Sequence, residues 1–352
     1  MIDIKSSARL YNETKGELDY AINDVYTSGT VMDGKYCQLV EEKLKKLTGR
    51  KYAKLVSSGT ASLMVSLLAN NLKNKTIACT NYSYVASVNQ AALINNVDLF
   101  DVDKNGLINI PYNISHDAVI PVSLYGNTID YDDLFTKITN NAKVIVDCAQ
   151  SLGTKYKGKY DGAYGDTAIF SFSQTKPIPC AGTHGAIVWD DDNLTEQIKL
   201  TSNNGKLGRD TPIVNFGINA VPYEIQACQI YINLNYLNKW QHKREQISKY
   251  YIDQFKNLPL KFIESNDYCE SNHHKFIIIL DNKNALHDFL KNNNINTAKH
   301  YTDNFNDFFG KDKNKKMPNT EYLCNSTLGL PNHQWLTDAE IETVAETLKK
   351  FF

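Results

Sequence analysis

The chain has 352 residues, enough for one large domain and a smaller one, and its 42% hydrophobic and 22% charged residues are ordinary for a globular protein. A net charge of -1 excludes a global basic field that would attract nucleic acid or an acidic membrane, so an anionic ligand must be held by local groups. The seven cysteines are scattered without a CxxC pair, which argues against a disulfide framework or a zinc site.

The first residues contain no apolar core of signal-peptide length, and no window has the apolar run of a membrane span. We therefore expect a protein of the cytoplasm, or of the host cytoplasm in the case of a viral source. We expect no nucleic-acid partner, no membrane partner and no bound metal.

The first half of the chain alternates short apolar runs with segments of helical periodicity. This alternation predicts an α/β fold with a mostly parallel central sheet covered on both faces. Ligands of such sheets bind at the carboxyl ends of the strands. The predicted strands cover 77–79, 97–102, 118–122, 143–146, 167–172 and 186–189, and the clearest helices cover 61–70 and 85–94.

The second half predicts a long helix over 222–257 that leads into a smaller C-terminal α+β unit. That unit contains a strand at 275–280, a helix near 284–293 and a last helix that begins at Thr337, where Thr337 and Glu340 fit a capping box. We place the large domain at 1–235 and the small domain at 236–352.

Two features near strand ends suggest a site for an anion and a cation. Ser57–Ser62, SSGTAS, precedes a helical run, so its backbone amides are placed to form a phosphate cup, although this stretch alone is more typical of an ordinary helix cap. Asp147 ends an apolar strand, where a carboxylate needs a cationic partner such as a protonated pyridine nitrogen. The alternative for Asp147 is a helix cap or a hydrogen-bonded loop acid.

Lys176 follows the apolar strand that contains Phe170 and Phe172. A lysine in that position forms a covalent bond with a carbonyl group if desolvation or nearby charge deprotonates its ammonium. A solvated loop lysine is the alternative for any lysine. The phosphate cup, the strand-end acid and the strand-end lysine occur in that order in one α/β chain, which favours the functional interpretation.

The order and wording of these features resemble the DegT/DnrJ/StrS family of sugar aminotransferases, which have the aspartate-aminotransferase fold (pyridoxal-phosphate fold type I). The resemblance runs from about Tyr26 to the C-terminus. Its densest segments are SSGTASL, NYSYVASVNQA, VIPVSLYGN, VDCAQSLGTKYKGKYDGAYGDTAIFSFSQTK, FGINAVPYEIQA and LGLPNHQWLTDAEI.

The resemblance implies pyridoxal 5'-phosphate (PLP) as the cofactor, with Lys176 as the catalytic lysine that also carries the cofactor. It implies that Asp147 pairs with the pyridine nitrogen, that Gln150 lies beside the ring hydroxyl and that Tyr84 stacks on the cofactor. The residues that it implies for the cofactor phosphate are Gly59, Thr60, Ala61 and Ser171. Asn219 matches an asparagine that the neighbouring subunit supplies, which implies a homodimer with shared active sites.

Three departures from the family pattern lie where the sugar and the amino donor are expected to bind. The chain has Gly182-Thr183-His184-Gly185 after the lysine, Val221 where an arginine is common, and Ser202-Asn203-Asn204-Gly205 in place of an Arg-Asn-His-Gly stretch. His184 is a candidate base or, by the favoured alternative, a structural histidine. The candidate substrate residues are His184, Lys206, Arg209, His300 and Tyr301.

The expected reaction moves an amino group from glutamate to a nucleotide-linked keto sugar, with dTDP-4-keto-6-deoxyglucose aminated at C-4 (a viosamine-type product) as the first choice. The spacing from Lys176 to Gly182 also occurs in C-3 aminating members, so a 3-keto sugar stays open, as does a GDP- or UDP-linked sugar. The family also contains dehydratases in which a histidine replaces the lysine. Two other classes are a non-catalytic regulatory protein and a PLP enzyme of amino acids, for which Arg209 is the arginine to check.

Overall fold

The computed structural model describes residues 1–139, 141–208 and 210–352 of the chain. Its helices are α1 Ser7–Ser28, α2 Lys35–Thr48, α3 Gly59–Ala69, α4 Ala86–Ala92, α5 Tyr131–Lys137, α6 Asp192–Ser202, α7 Glu224–Asn233, α8 Leu237–Phe255, α9 Lys283–Asn292, α10 Pro318–Ser326 and α11 Asp338–Lys349. Its strands are β1 Tyr52–Val56, β2 Thr76–Thr80, β3 Asn96–Phe100, β4 Ala118–Ile120, β5 Lys143–Asp147, β6 Lys155–Tyr156, β7 Lys159–Tyr160, β8 Thr167–Ser171, β9 Gly185–Trp189, β10 Lys261–Phe262, β11 Cys269–Glu270, β12 Phe276–Ile279 and β13 Thr327–Leu330.

A seven-stranded sheet in the order β1-β9-β8-β5-β4-β2-β3 forms the centre of the fold. The pairs from β3 through β8 are parallel, whereas β9 runs antiparallel to both β1 and β8. The prediction of an α/β fold with a mostly parallel central sheet is therefore confirmed. The six predicted strands all lie in this sheet, with ends that differ by a few residues.

Both faces of the sheet are buried under helices. On β5, Val144 and Val146 pack into one apolar cluster while Ile145 packs into the cluster on the opposite face, because successive side chains of a strand alternate between faces. Residues of α1, α2 and α7 join the first cluster, and residues of α3 and α6 join the second. The continuous apolar runs of the strands reflect burial on both sides.

The C-terminal part of the chain has its own three-stranded sheet, β10-β12-β13, with both pairs antiparallel. A third apolar cluster joins this sheet to α8, α9 and α11. The predicted capping box is confirmed: Thr337 accepts from the Glu340 amide at 3.2 Å, and the Glu340 carboxylate accepts from the Thr337 amide at 2.9 Å. The domain division after residue 235 stays a prediction.

The single long helix predicted over 222–257 is wrong. Helix α7 ends at Asn233, a 3-10 turn covers Leu234–Tyr236, and α8 begins at Leu237. The buried Asn233 side chain donates to the Pro179 carbonyl at 2.7 Å, a tertiary contact at the point where the helix tightens. No glycine or proline marks this point in the sequence, so periodicity alone gave no sign of the interruption. Within the described ranges, no helix is both long and apolar enough to cross a membrane.

Candidate active site

A cavity of about 480 Å³ lies at the carboxyl ends of β2, β4, β5 and β8. Its walls include the loop after β2, the start of α3, the ends of β5 and β8, and the loop that carries Lys176. A second wall comes from the C-terminal part of the chain, from 274–275 and 299–305. The cavity therefore lies where an open parallel sheet binds its ligands, as the sequence predicted.

Asp147, at the end of β5, is buried on the floor of this cavity, with 4% of its surface exposed. Its carboxylate accepts from the Ser87 hydroxyl at 2.7 Å and from the Ala149 amide at 3.0 Å. Burial raises the pKa of Asp147, and these two donors together with the charge of Lys176 oppose the rise. A buried carboxylate with two neutral donors is suited to a cationic partner from a ligand.

The start of α3 forms the predicted anion cup. The Ser58 hydroxyl accepts from the Ala61 amide at 3.0 Å, so Ala61 is occupied by the helix cap, while the amides of Gly59 and Thr60 donate to no described residue. A Cβ on Gly59 would lie 2.8 Å from Cβ of Ser171, so the two segments approach too closely for a side chain there. The free amides and the Ser171 side chain thus face the same end of the cavity.

Lys176 lines the cavity on the loop after β8, and its backbone amide donates to the Ser173 carbonyl at 2.9 Å. Its ammonium lies 6.0 Å from the centre of the Tyr84 ring, whose side chain is exposed at the cavity mouth. Burial lowers the pKa of Lys176, and the Asp147 charge partly opposes the change. A lysine with a lowered pKa supplies more of the neutral amine that acts as a nucleophile or base.

Gln150 connects the sheet to the C-terminal wall. Its side-chain nitrogen donates to the Tyr301 hydroxyl at 2.8 Å, and its side-chain oxygen accepts from the Tyr125 amide at 3.1 Å. The hydroxyls of Tyr82 and Tyr125 donate to the His300 carbonyl at 2.8 and 2.7 Å. These bonds fix the segment that carries His300 and Tyr301 against the cavity.

The other predicted substrate residues lie apart from these. The ring of His184 is buried and its Nε2 accepts from the Tyr223 amide at 3.0 Å, while the neighbouring Thr183 lines the cavity. Burial lowers the pKa of His184, so the ring is held neutral as a packing residue. Lys206 is half-buried outside the cavity wall, and Arg209 lies outside the described residues. Asn219 is exposed and forms a β-bridge with Asn203, away from the cavity of its own chain.

Three residues of the cavity were missed from the sequence. Ser87 binds the Asp147 carboxylate and was obscured inside a helical pattern. His274 and Lys275 precede β12, far along the chain from the motifs, and line the cavity beside His300. Burial and the neighbouring lysines lower the pKa of His300 to about 3 and that of Lys275 to about 7. Among the described residues, no cluster of three or more His, Cys, Asp or Glu side chains is arranged to hold a metal ion.

These residues fit a phosphorylated pyridine aldehyde. The Gly59 and Thr60 amides and Ser171 offer donors for a phosphate at one end, and Asp147 offers a buried carboxylate for a ring cation. Lys176, on the wall of the same cavity, offers an amine of lowered pKa for the aldehyde carbon.

Comparisons with known proteins agree with this geometry. The sequence profile of the DegT/DnrJ/EryC1/StrS aminotransferase family matches residues 12–349. The chain is 27% identical to UDP-4-amino-4,6-dideoxy-N-acetyl-beta-L-altrosamine transaminase of Campylobacter jejuni, over 94% of this chain and 92% of that protein. It is 28% identical to dTDP-3-amino-3,6-dideoxy-alpha-D-galactopyranose transaminase of Aneurinibacillus thermoaerophilus, over 95% of each. The solved structure of S. venezuelae DesV superposes with a TM-score of 0.94 at 22% identity and covers 99% of this chain and 98% of that one.

Proposed function

The chain belongs to the DegT/DnrJ/EryC1/StrS family of PLP-dependent aminotransferases, and we propose that it transfers the amino group of glutamate to the keto carbon of a nucleotide-linked sugar. The observation that carries this proposal is that Asp147 and Lys176 line one cavity, in which a buried carboxylate and a lysine of lowered pKa perturb each other's charge. Glutamate becomes 2-oxoglutarate, and the sugar ketone becomes an amine.

The chain's own residues hold the cofactor by its charged ends. The amides of Gly59 and Thr60 with the Ser171 hydroxyl bind the phosphate, and Asp147, kept in place by Ser87, pairs with the ring nitrogen. PLP, when bound, withdraws electrons from the carbon that carries the nitrogen.

Lys176 serves as the proton carrier. With its pKa lowered by burial, the amine takes the proton from the α-carbon of the donor and delivers a proton to the keto carbon of the sugar. Tyr84 and Tyr301 line the cavity that holds this lysine.

As the sugar we propose dTDP-4-keto-6-deoxyglucose, aminated at C-4. The C. jejuni relative is named for a UDP-linked 4-amino sugar, and the A. thermoaerophilus relative for a dTDP-linked 3-amino sugar. One relative therefore supports the position and the other supports the nucleotide. The same two names favour a UDP-linked sugar or C-3 amination as the alternatives to test.

An aminotransferase of amino acids alone has less support. It requires an arginine for the substrate carboxylate, because the planar guanidinium matches a carboxylate. Arg9 pairs with Glu340 at 2.6 Å and Arg50 with Asp190 at 2.7 Å, both outside the cavity wall.

We further propose that two copies share their active sites. In the loop before Asn219, 90% of Phe216 and 70% of Ile213 are exposed. Large apolar side chains that are exposed close together in one loop, rather than singly, are typical of a contact surface. A second copy that covers this loop would bring Asn219 to the partner's cofactor, which is the role that the family resemblance gives it.

The test is the identity of the product. Enzyme, PLP, nitrogen-15-labelled glutamate and dTDP-4-keto-6-deoxyglucose are incubated together, and the product is analysed by mass spectrometry and NMR. We expect the label on C-4. If no label enters this sugar, the incubation is repeated with a 3-keto sugar nucleotide and with a UDP-linked keto sugar. Label in one of those alone would replace the proposed substrate and keep the reaction.

The Lys176→Ala variant tests the mechanism. We expect it to lose turnover while it still binds PLP measurably, because the phosphate cup and Asp147 remain. Lys159→Ala, at an exposed lysine outside the cavity, is the matched control and is expected to keep full turnover. Sustained turnover by Lys176→Ala would contradict the proposed mechanism.

A further inference from the structure

Lys275 is a second lysine in the cavity of Lys176 that the reaction described above does not use. It stands directly before β12, and its backbone amide donates to the Tyr125 carbonyl at 3.2 Å, which fixes its position on the wall. Its ammonium makes no hydrogen bond and no ion pair with any residue that the structure describes.

The surroundings of Lys275 carry positive charge without a compensating acid. The charges that lower its pKa are those of Lys176, Arg244 and Lys5, and none of the groups that perturb it is acidic. Arg244 is buried, and its hydrogen bonds with described residues go to neutral oxygens, the Asn272 carbonyl at 3.1 Å and the Gln334 side chain at 3.1 Å. Since an unpaired charge is costly in a buried place, this part of the cavity is prepared for an anion.

The other titratable groups on the cavity wall do not offset the positive charge around Lys275. Burial lowers the pKa of both His274 and His300, so the two rings beside Lys275 carry no charge near neutral pH. Asp147 is already engaged by Ser87 and the Ala149 amide, and Asp303, the other acid on the cavity wall, is not among the groups that perturb Lys275.

We propose that Lys275 binds the α-carboxylate of the amino donor. This assignment rests on the proposed function. The α-carboxylate of an amino acid is attached to the same carbon from which Lys176 removes the proton, so its binding group has to lie close to Lys176. Lys275 meets that condition, because it lines the same cavity and the charge of Lys176 helps to lower its pKa. It supplies the cation that none of the chain's described arginines places on the cavity wall.

A bound carboxylate favours the protonated form of Lys275, and the ion pair that results has no net charge. In the second half of the reaction the keto sugar, which has no α-carboxylate, takes the place of the donor. The two half-reactions should therefore differ in their dependence on Lys275.

The test separates the two half-reactions. The PLP form of the enzyme is titrated with L-glutamate alone, and the aminated form is titrated with the keto sugar alone, with the absorbance of the cofactor as the signal. The variants are Lys275→Met, which keeps the length without the charge, and Lys275→Arg, which keeps the charge. Lys159→Met is the control for the loss of a lysine elsewhere.

We expect Lys275→Met to raise the half-saturating concentration of glutamate by roughly 10- to 100-fold, the range for a hydrogen bond to a charged group. The keto-sugar titration and the spectrum without donor should stay unchanged, and Lys275→Arg should recover most of the glutamate affinity. A change confined to the keto-sugar titration, or no change in either, would overturn the assignment. A wild-type enzyme whose spectrum does not respond to glutamate would instead contradict the proposed donor itself, which the variants do not affect.

Discussion

The close approach of Gly59 to Ser171 makes the phosphate cup sensitive to a single methyl group. In Gly59→Ala the new Cβ would lie 2.8 Å from Cβ and 3.1 Å from Oγ of Ser171, whereas ordinary carbon contacts are about 3.5–4.0 Å. One of the two segments therefore has to move by roughly 0.7 Å or more. Since β8 pairs on both sides within the sheet, we expect the start of α3 to move.

The displacement acts on stability and on cofactor binding together. Overpacking of this kind costs about 1–3 kcal/mol of unfolding free energy. The same movement carries the Gly59 and Thr60 amides away from the phosphate position, and the loss of one charge-assisted hydrogen bond of about 1.5 kcal/mol or more corresponds to at least a roughly tenfold weaker affinity for PLP.

The assay is urea unfolding of the cofactor-free enzyme together with a fluorescence titration with PLP. Gly16→Ala is the matched control, because Gly16 lies inside α1 with no heavy atom within 4 Å of the added Cβ. It should stabilise the protein by roughly 0.5–1 kcal/mol, with unchanged PLP affinity. In the double variant Gly59→Ala, Ser171→Gly the clash is removed, so stability should return while the Ser171 contribution to binding stays lost. Unaltered stability and PLP affinity in Gly59→Ala would refute the reasoning.

Three other predictions concern the carboxylate, the exposed loop and the cavity lysine. Ser87→Ala removes the 2.7 Å hydrogen bond to the Asp147 carboxylate and should weaken PLP binding by roughly tenfold or more. The control is Ser66→Ala, at a buried hydroxyl without a hydrogen-bond partner among the described residues, and it should leave the PLP titration unchanged. Equal effects of the two variants would contradict the role of Ser87. Phe216→Ser should raise the dissociation constant of the dimer by roughly 10- to 100-fold in sedimentation experiments, and Phe308→Ser, at another exposed phenylalanine, should not; a wild-type protein that is monomeric and active would remove the basis for this prediction. Lys275 has a pKa of about 7 when folded and 10.5 as its ordinary value, so the unfolded chain binds more protons between these values and the unfolding free energy of the cofactor-free enzyme should rise with pH there. Between pH 7 and 9 the unfolding free energy of the wild type should rise relative to that of Lys275→Met by at most about 1.4 kcal/mol per pH unit. Parallel curves for the two proteins would show that folding does not lower the pKa of Lys275.

The sequence predicted the parts of the fold in which local pattern and tertiary environment agree. The apolar run of β5 is buried on both faces, and its last residue, Asp147, reaches the cavity as the position at a strand end requires. The anion cup at the start of α3 and Lys176 after β8 could be predicted for the same reason, because each comes shortly after a buried strand and therefore lies near the end of the sheet where the ligand binds. The direction of β9, antiparallel to β8, depends on the connection between these two strands. The hydrophobic pattern of a strand does not indicate its direction.

The residues that the sequence did not reveal are those whose partners lie far along the chain. Lys275 is 99 positions beyond Lys176 in the numbering, and only the packing of the C-terminal sheet against the loop of Tyr125 brings it into the cavity. His184 is the opposite case: its place near the lysine allowed a catalytic base or, as the favoured alternative, a structural histidine, and its ring accepts from the Tyr223 amide. Histidine in a loop has no pattern that separates these two outcomes.

The bonds from Tyr82, Tyr125 and Gln150 to the segment of His300 and Tyr301 join two regions of the chain with different tasks. Apart from Asn219, the residues assigned to the cofactor come from 59–176, whereas the second wall of the cavity comes from the C-terminal part of the chain. Exchange of that wall between relatives would therefore replace the surface that we propose for the sugar and leave the cofactor groups intact. Substitutions in that wall can therefore change which sugar is bound while the cofactor residues stay the same. Hybrid enzymes that combine the first region of one relative with the C-terminal wall of another offer a direct route to new amino sugars.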